Sequence, residues 1–199
     1  MIQLKPVLLP AAGDGCGEEQ TMLPDAILHP RFAQKKPGKG LWFCADQMVY
    51  ERLRQRQLHR QVAPEAKISP RLESLITRQL QQRVVQEAEL LYERARTRTL
   101  GDTRPNKHAA AVLDLQATAM PARQMRTGGI PLYHVAAMLS DADLHTALSK
   151  WLTQIVERST YACTRCNEGM SLAQHPRTSA LAVALWRLAS WTDSKEPLG

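Results

Sequence analysis

Apolar residues recur every three or four positions over most of the chain after Leu41, and that period of about 3.6 predicts helices. The clearest run is Leu72, Ile76, Leu80, Val84, Ala88, Leu91 and Ala95, one stripe of a helix from about 69 to 99. Its ends carry matching signals. Ser69 can cap it, Pro70 suits the first turn, Glu73 sits where the dipole favours an acid, and Gly101 stops it. At 1.5 Å per residue such a helix is about 45 Å long, so it is expected to protrude, fold into a hairpin or meet a second subunit.

Other segments follow the same period. Trp42, Ala45, Met48, Val49, Leu53 and Val62 predict a helix over about 44–62, ended by Pro64. A shorter helix is expected over 105–119, between Pro105 and Pro121, and a brief one from Pro131. Ser140 with Asp143 makes a capping-box pattern for a helix from about 141 to 160, whose apolar face is Leu144, Leu148, Trp151 and Ile155. The run over 177–192 is apolar on nearly all sides, which places that helix in the core. Residues 1–40 hold Pro6, Pro10, Pro24, Pro30 and Pro37 with five glycines, which excludes a continuous helix there. With no persistent alternation and no repeat, the expectation is an all-α fold. It has an irregular, basic N-terminal arm over 1–40 and a helical domain over 41–199 with one long helix and a buried C-terminal helix.

Composition changes the picture mainly through charge. The 199 residues suffice for one substantial domain without staples. The net charge is +7 and the sequence pI about 9.5, a balance that attracts polyanions. The excess is uneven: residues 1–100 hold 16 basic and 11 acidic side chains, residues 101–199 only 10 and 8. No stretch approaches the roughly 20 apolar residues of a membrane span. The apolar run after Lys5 is cut by Pro6 and Pro10 and is too short for a signal peptide. Four cysteines, with Cys16 and Cys44 isolated, do not make a small secreted disulfide framework, so the cytoplasm is the expected compartment.

Two features carry candidate chemistry. "KKPGKG" at 35–40 lacks the spacing and hydroxyl of a phosphate loop, but with Arg31 it puts Lys35, Lys36 and Lys39 on a flexible cationic arm. The arm runs into "ERLRQRQLHR", where Arg52, Arg54, Arg56 and Arg60 alternate with Gln55 and Gln57. Arginine grips phosphate in a fork and glutamine can read adenine edges, so these ten residues form the candidate nucleic-acid site. Trp42 and Phe43 are expected to anchor the arm to the core. The leading expectation is a non-enzymatic protein that binds DNA or RNA, with regulation among its expected roles. The alternative is a protein-interaction module, an adaptor, inhibitor or assembly subunit, whose 69–99 helix meets a partner or a second copy. No paired acid and base, nucleophile elbow or cofactor loop points to an enzyme.

The second feature is "YACTRCNEGMSLAQHP", with Cys163 and Cys166 spaced C-x-x-C and His175 nine positions on. Such spacing suits a structural zinc ion, for which Cys163, Cys166 and His175 are the candidate ligands. The competing readings are two small buried thiols at i and i+3 near a helix end, or a redox pair. Asp141, Asp143 and His145 resemble a metal cluster, but acids in a first helical turn serve the dipole and cap. "VAAMLSDADLHTALSKWL" has a helix-turn-helix outline, yet its second helix opens with acids that phosphate would repel, so it is assigned to core packing or a partner surface.

Overall fold

The computed structural model describes residues 1–10, 18–24, 40–97, 109–116, 118, 121–126, 128–158, 162–166 and 169–194. They form a mixed α/β structure with two sheets, which overturns the all-α expectation. The N-terminal segment expected to be irregular supplies β1 (Ile2–Pro10) and β2 (Glu18–Pro24), an antiparallel hairpin with Leu4 opposite Pro24 and Pro10 opposite Glu18. β3 (Leu41–Phe43) flanks β1 antiparallel, and β4 (Lys67–Ile68) flanks β2 in parallel. The prolines that exclude helix are compatible with this ladder. Pro6 faces Met22, Pro10 faces Glu18 and Pro24 faces Leu4, so all three share one parity, and their nitrogens turn away from the hairpin. Ile2, Leu4 and Met22 give the sheet its buried face, whereas Val7, Leu8 and Leu9 stand in water.

The helices are α1 (Gln47–Gln55), α2 (Leu72–Thr97), α3 (Val135–Met138), α4 (Ala142–Arg158) and α5 (Ser179–Asp193). Helix α2 packs along α4 and α5, burying Leu72, Ile76, Leu80, Val84, Ala88 and Leu91 of its apolar stripe. Gln81 Nε2 on α2 donates to the Met138 carbonyl at 2.9 Å and to Ser140 Oγ at 3.1 Å, just before α4. Tyr92 meets Trp151 at 5.0 Å further along both helices, so the two run in the same direction. Asp141, not Ser140, caps α4, accepting from the Asp143 and Leu144 amides at 3.0 and 3.3 Å.

The second sheet has the order β6-β7-β5-β9-β8. Its members are β5 (Ala109–Asp114), β6 (Arg123–Met125), β7 (Pro131–His134), β8 (Cys163–Cys166) and β9 (Gly169–Ala173). Three expectations fail here. The helix over 105–119 gives way to β5, where Ala111, Val112 and Leu113 are all buried, as in a strand covered on both faces. Pro131 opens a strand paired in parallel with β5, and the helix that follows is the single turn of α3. Cys163 and Cys166 lie on the strand β8 rather than near the end of α4 (Ala142–Arg158). Gly169 has φ +132°, and a Cβ there would collide with the Leu113 carbonyl, so the chain can enter β9 this close to β5 only without a side chain.

One buried indole joins the parts. Trp191 on α5 is fully enclosed, and its Nε1–H donates to Thr77 Oγ1 on α2 at 2.9 Å. The Tyr50 ring of α1 meets Trp191 edge-on at 5.9 Å, and Phe43 of β3 stands 6.2 Å from Tyr50. Ser194 Oγ accepts from the Gln47 amide at 2.8 Å, closing the contact between the start of α1 and the end of α5. Thr77→Val keeps the shape and removes the acceptor, leaving a buried N–H without a partner. It should cost about 1–3 kcal/mol of stability, read as a lower urea midpoint by tryptophan fluorescence.

Candidate nucleic-acid interface

Helix α1 is anchored on one side and open on the other. Asp46 starts it, its Oδ1 accepting from the Met48 and Val49 amides at 2.8 and 3.2 Å. Gln47, Tyr50 and Leu53 are buried, and Met48, Val49, Arg52, Gln55 and Arg56 form the opposite, exposed face. The helix expected over 44–62 is broken after Gln55. Gln57 adopts a left-handed conformation (φ 50°, ψ 37°), its amide donating to the Arg54 carbonyl at 3.2 Å, and a 3-10 turn follows over Leu58–Gln61. The left-handed residue turns the chain sharply.

All four arginines face water, as do Gln55 and Gln57. Arg54 is held by Glu51, with Nη2 at 2.9 Å and Nε at 3.2 Å from Oε2. Among the described residues no carboxylate pairs with Arg52, Arg56 or Arg60. The cations of α4 differ, since Lys150 stands 5.5 Å from the Trp151 ring and Arg158 lies 4.8 Å over Tyr92. His59 adds no charge to the face: its ring is buried, and burial lowers its pKa and keeps it neutral. Arg31, Lys35, Lys36 and Lys39 fall outside the described residues.

A groove of about 320 Å³ runs beside these cations, lined by Gln47, Met48, Glu51, Arg52, Gln55 and Ser194. Sequence reasoning missed it, because Ser194 lies 147 residues from Gln47 and only the fold brings them together. A larger cleft of about 600 Å³ lies at the first turns of α2, where Arg78 is opposed by Glu73 and Asp141. That cleft has no single sign of charge. Trp42 and Phe43 also part company: Phe43 anchors to Tyr50 as expected, whereas Trp42, one residue earlier on β3, points outward and is 51% exposed.

The structure does not bring Cys163, Cys166 and His175 together. Residues i and i+3 of a strand face opposite sides, and Cys163 is buried while Cys166 is exposed. His175 Nδ1 instead accepts from the Arg177 amide at 3.1 Å in the turn leading to α5. Among the described residues no three of His, Cys, Asp and Glu gather as a metal site. His145 Nε2 stands 2.7 Å from the Leu115 carbonyl, so that nitrogen carries the hydrogen. His134 is buried with both ring nitrogens unbonded, 3.7 Å from an Asp114 oxygen at the ends of the parallel strands β5 and β7. There the carboxylate is the more exposed of the two side chains, 27% against 8%.

No helix among the described residues is long and apolar enough to cross a membrane. No known family model, curated protein or solved structure matches the chain.

Burial pushes the Cys163 thiol up to about 12, so it stays protonated at neutral pH and cannot act as a nucleophile. Maleimide labelling of the native protein at pH 8, read by peptide mass, should modify Cys44 and Cys166 and spare Cys163. Since the folded thiol holds its proton more tightly than the unfolded one, stability should fall as pH rises above the unfolded thiol's pKa near 9.

Proposed function

We propose that the protein is a non-enzymatic nucleic-acid-binding protein, for DNA or RNA, that grips phosphates with the outer face of α1 and the turn after it. One observation carries the reading. Arg52 and Arg56 face water with no carboxylate partner among the described residues, on a helix whose other side is fixed to the core by Tyr50 and Leu53. A guanidinium held this way meets a phosphate in a planar fork without first giving up an internal ion pair. Arg60 extends the face beyond the helix, and Arg31, Lys35, Lys36 and Lys39 would add to it from the segment before β3. Gln55 sits on the same face and is the candidate for contact with a base. Helix α2 offers less to a partner, because α4 and α5 already cover its apolar stripe.

Each phosphate neutralised releases about 0.7–0.9 counterions, the lower figure for single strands. The double variant Arg52→Ala/Arg56→Ala should therefore weaken binding at every salt concentration and flatten the plot of log affinity against log salt by about 1.5. Fluorescence anisotropy with labelled oligonucleotides over a salt series measures both. An unchanged slope in a folded double variant would place the phosphate contacts elsewhere and end this proposal.

A further inference from the structure

We infer that the cleft between the first turns of α2 and the start of α4 is a second site, shaped for a small zwitterion: a peptide of two or three residues with its ammonium and carboxylate both free. It shares no residue with the arginine face of α1. Its volume of about 600 Å³ lies within the range of small-molecule sites, and a polar stripe of α2 from Glu73 to Gln81 faces Ser140 and Asp141 across it. Apart from Pro70, every lining residue is polar. The best-fixed group is Gln81, only 5% exposed, whose Nε2 donates both to the Met138 carbonyl at 2.9 Å and to Ser140 Oγ at 3.1 Å. Those two bonds hold the amide still and leave Oε1 with no partner among the described residues, on the wall of the cleft. A buried acceptor without a partner is costly, and a bound donor removes that cost.

Charge on the walls points the same way. Arg78 is exposed on the cleft, and among the described residues no carboxylate pairs with it. Asp141 spends Oδ1 on the cap of α4 and leaves Oδ2 without a hydrogen bond among the described residues. Capping therefore accounts for one oxygen of Asp141 and not for Arg78. A guanidinium takes a carboxylate in a planar fork, and an ammonium has three hydrogens for Gln81 Oε1 and Asp141 Oδ2. Arg78 stands three positions before Gln81, about 4.5 Å of helix rise, and Gln81 bonds the residue next to Asp141. Two peptide residues span at most about 7 Å, which suits that separation, whereas a free amino acid carries both charges on one carbon. Other ligands fit less well. Phosphates would be repelled by Glu73 and Asp141, an apolar ligand finds no apolar wall, and a lone cation meets Arg78 and the positive ends of α2 and α4.

Isothermal titration calorimetry on the full chain tests this with three probes at equal ionic strength: alanylalanine, its N-acetyl form and its C-terminal amide. Alanylalanine should bind, and each blocked form should bind about ten-fold more weakly, having lost one charged contact. Arg78→Gln should weaken alanylalanine about ten-fold and erase its advantage over the amide. Asp141→Asn, which still caps α4, should instead erase its advantage over the N-acetyl form. Both positions are exposed, so neither substitution disturbs the core. Thr77 Oγ1 on the cleft wall accepts from Trp191, so occupancy should also change tryptophan emission. Failure of alanylalanine to bind, or equal binding of all three probes, overturns the inference, and so do unaltered affinities in both variants. The oligonucleotide titrations are decided on α1 alone, so the two sites fail separately.

Discussion

The contact between the Trp191 indole, Thr77 and Tyr50 decides where the outer elements of this fold can lie. Its hydrogen bond joins α5 to α2, and its edge-on contact with Tyr50 fixes α1 and, through Phe43, the strand β3. Loss of that geometry would release the helix that bears the arginines as well as part of the core. An aromatic pair of this kind contributes roughly 0.5–1.5 kcal/mol beyond its buried area. The larger consequence is positional: every charged group on α1 has its direction set by two side chains on the hidden side of the same helix.

The helices of the core were legible in the sequence because their signals agree at several levels. For α2 six residues of the periodic stripe, Leu72, Ile76, Leu80, Val84, Ala88 and Leu91, are buried and Ala95 is half-buried, and α4 and α5 likewise begin and end close to where their patterns place them. The strands were not legible, for reasons that differ. Proline in "IQLKPVLLP" argues against any regular element, and only the register shows that Pro6 and Pro10 share one outward parity. In "AAAVLD" local preference favours helix, yet burial on both faces overrides it. Cys163–Cys166 and Gly169–Ala173 form an antiparallel pair too short to display alternation before coordinates reveal it.

The candidate site was legible as a composition and illegible as a surface. Arg52, Arg54, Arg56 and Arg60 could be named from the chain alone, but their exposure depends on which residues of α1 turn inward. The break at Gln57 could not be foreseen, since the left-handed conformation favours Gly or Asn and neither is present. For Cys163 and Cys166 the sequence lacked the backbone shape between them. A chelating C-x-x-C needs a turn beneath its sulfurs, and an extended strand sends two thiols three positions apart to opposite faces.

Charge alone does not separate a binding face from a well-built helix end. Arg52 and Arg54 lie in the last turn of α1, where the carbonyl end of the helix dipole stabilises cations in the absence of any ligand, and Arg54 further pairs with Glu51. Helix stability therefore accounts for these two positions. It does not account for all the others. Arg60 stands beyond the end of the helix, on a turn that leaves it by a left-handed residue, where the dipole of α1 has faded. Met48 and Gln55 gain nothing from the dipole. Arg56, at the helix cap, is favoured by the same carbonyl end, so Arg60 and Gln55 are the positions that helix stability leaves to the proposed ligand.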